Sequence, residues 1–122
     1  MGGNVMSENR REFFRVIFDR FINGEVSIDD TDSFFPVKID NMSVGGLEFN
    51  SSLDIPMNEK VECKFHILES QFSIDGSIVR KSAKTSYFDY GVVFTIDQDT
   101  SSQLFKQLNY YQIRQRKGKL VE

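Results

Sequence analysis

The sequence predicts an all-β domain, an antiparallel barrel or closed sandwich capped by one C-terminal α-helix. Its 122 residues are an ordinary length for a single domain. Twelve phenylalanines and many β-branched residues fall in short runs separated by Asn, Asp, Ser and Gly, which is typical of strands and turns. After Asp97 the apolar pattern changes to a helical period. An open sheet would leave two unpaired edges in a Phe-rich chain, so we expect the sheet to close.

Six runs have the length and composition of strands. The clearest is 61–68, in which an apolar set alternates with mainly polar residues, so that one face points to the core: Val61, Cys63, Phe65 and Ile67. The other runs are 15–21, 35–40, 47–51, 72–80 and 90–96. The pair Asn23-Gly24 fits either a tight hairpin turn or a bulge inside a first strand that continues to Ile28.

The final segment predicts a single helix. Leu104, Leu108 and Tyr111 recur at helical spacing. Thr100 and Gln103, three positions apart, fit a capping box at the start of this helix. The helix is expected to end among basic residues, which suit the negative end of its dipole: Arg114, Arg116, Lys117 and Lys119. We therefore expect a flexible segment over 1–9, one folded domain over 10–116 and a basic tail over 117–122.

Composition and charge exclude several classes of protein. Apolar residues make up 39% of the chain, so global disorder is excluded. Fifteen Lys and Arg against eighteen Asp and Glu leave a net charge of −3, which disfavours nucleic acid polymers and anionic membranes as partners. The chain has no apolar run of membrane-spanning length and no signal-peptide pattern. We expect a cytoplasmic protein without direct membrane insertion.

The sequence offers little catalytic chemistry. Cys63 and His66 are the only residues of their types, which excludes an internal disulfide and an ordinary Cys/His zinc site. A nucleophile, a base and an orienting group cannot be assembled from them. We expect no enzymatic activity, no cofactor and no metal.

Three arginines stand close together before the first strand. Arg11 and Arg15 are four positions apart and share a face whether the chain is extended or helical. In an extended chain they lie roughly 13 Å apart, a reach that suits an elongated dianion held by two guanidinium forks. Arg10 adds a third guanidinium. The alternative is a solvated basic strand end.

A polar turn follows the second predicted strand. Asn41, Ser43 and Gly46 form an N-x-S-x-x-G pattern. The Asn and Ser side chains can bond the turn's own backbone or a ligand, and a glycine permits positive φ and close approach of backbone to a bound group. The alternative is a turn that satisfies only itself.

Taken together, these motifs resemble the PilZ domain family. The R-x-x-x-R of Arg11 and Arg15 and the N-x-S-x-x-G turn combine with GSIVR over 76–80 and YGVVF over 90–94. The resemblance covers nearly the whole chain, from about Arg10 to the closing helix. It implies a six-stranded antiparallel β-barrel with a C-terminal α-helix that binds the bacterial second messenger cyclic di-GMP.

The resemblance also implies roles for the arginines. Arg11 and Arg15 match the arginines that clasp phosphate and guanine, and guanine O6 and N7 suit a bidentate fork. Arg10 resembles the family variant that favours an intercalated ligand dimer. Arg80 stands where a side chain can face a base and is a further candidate contact. The remaining candidate ligand-binding residues are Asn41, Ser43 and Gly46.

The expected function is that of a non-enzymatic receptor. Cyclic di-GMP would order an arginine arm, residues 7–14, across the barrel mouth, and the altered surface would regulate an unidentified partner protein in trans, in motility, exopolysaccharide or virulence control. One alternative is a PilZ-fold interaction adaptor that does not bind nucleotide. Another is a small barrel that binds single-stranded RNA through exposed aromatic residues, against which the net acidity counts.

Overall fold

The computed structural model describes residues 14–29 and 32–118. Six antiparallel strands close into a barrel in the order β1-β2-β3-β6-β5-β4, followed by one helix. The elements are β1 (Val16–Ile28), β2 (Phe34–Ser43), β3 (Gly46–Ser51), β4 (Lys60–Ile67), β5 (Ser70–Ala83), β6 (Phe88–Thr95) and α1 (Gln98–Arg116). The predicted barrel and closing helix are confirmed. The predicted flexible segment 1–9 and residues 119–122 of the predicted tail lie outside the described residues.

The first strand is long and continuous through the Asn23-Gly24 pair. Asn23 pairs with Lys38 and Gly24 with Val37, so the hairpin alternative is wrong. The register shift lies earlier, between Ile17 and Ile22. From Gly24 onward β1 pairs with β2 on one side and β4 on the other. A Cβ at Gly24 would lie 2.6 Å from Ile39 Cδ1 and 3.0 Å from the Lys64 carbonyl oxygen, so the glycine makes room where the barrel closes.

The interior is filled by the apolar faces of all six strands. In β4 the predicted alternation holds, with Val61, Cys63, Phe65 and Ile67 all buried. Tyr90 is fully buried, and its ring stacks on Phe49 with centroids 5.0 Å apart. Its hydroxyl donates to the Leu53 carbonyl at 2.6 Å and accepts from the Ile55 amide at 2.7 Å. Those two bonds attach the β3–β4 connection to the core.

The helix begins one turn before the predicted capping box. Asp97 is the N-cap, and its carboxylate accepts from the Thr100 amide at 2.7 Å. The Thr100 and Gln103 box is therefore wrong, and Gln103 is exposed. An aspartate cap satisfies a free amide and places a negative charge at the positive end of the helix dipole. Leu104 and Leu108 are fully buried against the barrel, as their spacing predicts.

The basic end of the helix also agrees with the sequence. Arg114 and Arg116 lie in its last turn, and Lys117 is the C-cap. Within residues 14–29 and 32–118 no helix has the length and apolar character needed to cross a membrane.

Candidate functional site

Arg15 links the two predicted motifs at one rim of the barrel. It directly precedes β1, and the pairing of Val16 with Met42 brings the end of β2 alongside. One guanidinium nitrogen of Arg15 donates to Asn41 Oδ1, and the other donates to Ser43 Oγ at 3.2 Å. Arg15 is thus in direct contact with two residues that follow it by 26 and 28 positions in the chain. Three of the predicted site residues meet here.

Ser43 bonds both the turn and the arginine. Its hydroxyl oxygen accepts from the Gly45 amide at 3.1 Å as well as from Arg15. The residue is buried, and the bond to the residue two positions on is the geometry of an ST turn. The turn therefore satisfies its own backbone and anchors the arginine at the same time.

Gly46 lies where strands β3 and β6 approach each other closely, and its expected contact with a ligand stays a prediction. Among the described residues, positive φ at a glycine occurs only at Gly118, so Gly46 does not adopt the positive φ that a glycine permits. A Cβ at Gly46 would lie 2.0 Å from the Val92 carbonyl oxygen of β6. The close approach that requires glycine is between two strands of the barrel.

Glu48 was missed by sequence reasoning, because no motif contains it. Asn41 Nδ2 donates to Glu48 Oε1 at 3.1 Å, and Arg80 Nη2 lies 2.5 Å from Glu48 Oε2. The signal that could have identified it is the tight turn between β2 and β3. Pairing Ser43 with Gly46 sets Asn41 opposite Glu48 two residues further along the hairpin.

The contacts continue over the neighbouring strand β6 to Arg80 on β5. Register places Glu48 of β3 opposite Gly91 of β6, and Gly91 opposite Arg80 of β5. A Cβ at Gly91 would lie 3.2 Å from the Arg80 Cβ, Cζ and Nη1 atoms, so the arginine side chain crosses the space that this glycine leaves. The Arg80 side chain is 56% exposed. We call Arg15, Asn41, Glu48 and Arg80 the polar row.

Electrostatics within the polar row keep Glu48 ionised. Burial acts to raise the pKa of Glu48, but hydrogen bonds from Asn41 and Arg80 and the charges of Arg80 and Arg15 outweigh it and leave the pKa below its ordinary value. The pKa of Arg15 is lowered, first by burial, with Glu48 opposing the shift and Arg80 adding to it. A guanidinium stays protonated in proteins regardless. Two cations thus flank one carboxylate.

The other predicted residues lie apart from this row or outside the described chain. Arg10 and Arg11 fall outside the described residues, so their part in the site stays a prediction. Cys63 is buried in the barrel, and burial raises the pKa of its thiol to about 12. His66 is exposed on the outer face of β4. Within the described residues no cluster of His, Cys, Asp or Glu could hold a metal ion.

Comparison with known proteins places this barrel in a family. The model of the PilZ domain matches residues 9–110. The PilZ domain of Escherichia coli YcgR, solved with c-di-GMP, superposes with a TM-score of 0.70 at 13% identity, over 93% of this chain and 98% of that one. Among functionally curated proteins, none matches the chain in sequence.

Two longer relatives share the fold. Bacillus subtilis inhibitor of motility MotI/DgrA gives a TM-score of 0.66 at 14% identity, over 84% of this chain and 52% of that one. Borreliella burgdorferi PlzA in complex with c-di-GMP gives 0.59 at 16% identity, over 89% and 43%. The chain therefore spans about half the length of these two proteins. With a family match over most of its sequence and a barrel of the same fold, this chain belongs to the PilZ domain family.

Proposed function

We propose that this protein is a non-enzymatic receptor for cyclic di-GMP. The observation that carries the proposal is the contact of Arg15 with Asn41 and Ser43, which joins the R-x-x-x-R motif to the N-x-S-x-x-G turn at one rim. Related PilZ structures from Escherichia coli and Borreliella burgdorferi contain c-di-GMP, which supports the choice of ligand.

The Arg15 contacts suit an exchange with an anionic ligand. In the described structure its direct hydrogen-bond acceptors are a neutral amide and a neutral hydroxyl. A phosphate adds the attraction between opposite charges, and it can accept two parallel bonds from one guanidinium, which a single amide or hydroxyl oxygen cannot. A phosphate or a guanine edge can therefore replace Asn41 and Ser43 as the arginine's partner. Their oxygens are then free to accept from N–H groups of the base.

The remaining arginines extend the proposed site. Arg11 would supply the second fork, and Arg10 a further stacking surface that favours an intercalated ligand dimer. Arg80 would face a base at the far end of the polar row, where its side chain is largely exposed. Gly46 would contribute by keeping the turn close to β6, since it packs against the Val92 carbonyl.

The proposed signal is a change in the arginine arm, residues 7–14. Ligand would draw the arm across the barrel mouth, and the new surface would bind or release a partner protein in trans in the cytoplasm. A ligand can shift this equilibrium only by its differential affinity for the two states, and two or three guanidinium forks supply several kcal/mol of such a difference. Motility, exopolysaccharide or virulence control is the proposed output, with 10–116 as the folded unit.

Isothermal titration calorimetry with cyclic di-GMP tests the receptor role. We expect micromolar or tighter binding by the wild-type protein. Arg11→Ala and Arg15→Ala should each weaken binding at least about tenfold, which corresponds to roughly 1.4 kcal/mol per lost fork. Arg20→Ala is the matched control, because Arg20 is exposed on β1 outside the polar row. A folded wild-type sample that gives no heat would favour the adaptor that does not bind nucleotide.

A further inference from the structure

Glu48 occupies the centre of the polar row, with both carboxylate oxygens engaged. Oε1 accepts from Asn41 Nδ2 at 3.1 Å, and Oε2 lies 2.5 Å from Arg80 Nη2. The Glu48 side chain retains 36% exposure, so water does not fully screen these contacts. One side chain therefore contacts a proposed ligand-binding residue on each side.

The first contact decides which end of the Asn41 amide faces the barrel rim. A carboxylate can only accept hydrogen bonds, whereas an asparagine amide has one donating and one accepting end. Glu48 thus holds the Nδ2 end on its own side, and Oδ1 points to Arg15. Rotation of the amide by half a turn would place oxygen against oxygen at Glu48 and nitrogen against guanidinium at Arg15.

The second contact restricts the Arg80 guanidinium. Arg80 has a long flexible stem, but the pairing with Glu48 and the space over Gly91 confine it to the row. Confining a side chain in advance reduces the rotamer entropy that is lost when it contacts a ligand.

We propose that Glu48 is a positioning residue of the cyclic di-GMP site: it fixes Asn41 with its acceptor toward the ligand and holds Arg80 in line with it. This inference rests on the proposed function. It also explains why a neutral amide suits position 41, since an aspartate there would set a second carboxylate beside Glu48 at hydrogen-bond distance.

Positioning and simple charge predict opposite effects at Glu48. The ligand is an anion, so a nearby carboxylate repels it, and removing only that charge should tighten binding. If Glu48 orients the row, its removal should weaken binding although the repulsion is gone. The direction of the change therefore separates the two roles.

Calorimetric titrations with cyclic di-GMP on four full-length variants test this role. We expect Glu48→Leu to bind at least about fivefold more weakly than wild type. Asn41→Asp should bind at least about tenfold more weakly. The double variant Asn41→Asp with Glu48→Gln should return to within about threefold of wild type, because a glutamine at 48 can donate to the new carboxylate and still accept from Arg80. Glu69→Gln is the charge-matched control, exposed in the β4–β5 turn.

A second readout follows the Asn41 amide itself. The ¹⁵N side-chain resonance of Asn41 should shift and its hydrogen exchange should accelerate in Glu48→Leu, with the melting temperature showing that the variant is folded. Equal or tighter binding by Glu48→Leu, or a double variant no better than Asn41→Asp alone, overturns the positioning role while the receptor role stands. A folded wild-type protein that does not bind overturns the receptor role and this inference with it.

Discussion

Among the described glycines, Gly46 has the least room for a side chain. Its neighbour across the sheet is Val93, and a Cβ at Gly46 would lie 2.0 Å from the Val92 carbonyl oxygen. The atoms nearest to that Cβ are all backbone atoms of β6, so no flexible side chain can move aside to admit it. The adjacent Gly45 is different, because a Cβ there meets nothing closer than Ser43 Oγ at 3.6 Å.

Gly46→Ala should destabilise the protein by about 2–4 kcal/mol, since strands β3 and β6 must separate to admit the methyl group. Urea unfolding followed by circular dichroism measures the change. Gly45→Ala, the adjacent control, should stay within about 1 kcal/mol of wild type. Equal stabilities for the two variants would show that the Gly46 contact relaxes without cost.

At the scale of elements, helix α1 supplies hydrogen bonds to the part of strand β1 that does not pair with β4. The described ladder between β1 and β4 runs from Gly24 to Ile28. Nearer the start of β1, the side-chain amide of Gln115 takes the place of a neighbouring strand. Its Oε1 accepts from the Asp19 amide at 2.7 Å, and its Nε2 donates to the Ile17 carbonyl at 3.1 Å. Covering an exposed strand edge in this way also protects it from pairing with other chains.

Gln115→Ala should accelerate hydrogen exchange at the Asp19 amide and lower the free energy of unfolding by about 1 kcal/mol. The substitution removes the partner of two backbone groups, and water can replace that partner only in part. Exchange measured by NMR reports the first effect and urea unfolding the second. Gln103→Ala, which alters an exposed glutamine earlier in the same helix, should change neither. Unchanged Asp19 exchange in Gln115→Ala would contradict this docking role.

At the scale of the whole molecule, closure of the barrel isolates its only cysteine. Cys63 is buried on the inner face of β4, and burial raises the pKa of its thiol from 9.0 to about 12. The thiol is therefore neutral in the folded protein at pH 8. The unfolded chain ionises first as pH rises, so this group's contribution to stability is present below pH 9 and is lost as pH rises from 9 to about 12.

Cys63 should consequently react with a thiol reagent at pH 8 only through opening of the barrel. For a stability of about 5 kcal/mol, the native protein should react at least about a thousandfold more slowly than the urea-unfolded protein. Absorbance during reaction with Ellman's reagent, with and without urea, gives the two rates. Rapid reaction of the native protein would mean that the barrel opens locally near β4.

The sequence alone predicted the elements and much of the fold. Period-two alternation over 61–68 identified an inner face, and the spacing of Leu104 and Leu108 identified the buried side of the helix. Such patterns report which face of a segment is apolar, and that information is local. One local ambiguity was resolved only by packing, and one local prediction was wrong. Gly24 continues β1 because strands flank it on both sides. The start of α1 is decided locally, since the Asp97 carboxylate accepts from the Thr100 amide three residues on, ahead of the predicted box.

The motifs predicted which residues belong to the candidate site, and the tertiary structure decided how the described ones meet. Arg15, Asn41 and Ser43 are conspicuous as sequence patterns, yet only the pairing of β1 with β2 sets them in contact. Glu48 has no motif, and register alone brings it between Asn41 and Arg80. The reason is physical: side-chain chemistry and periodicity are properties of a single segment, whereas cross-strand neighbours depend on register and barrel closure, which join residues far apart in the chain.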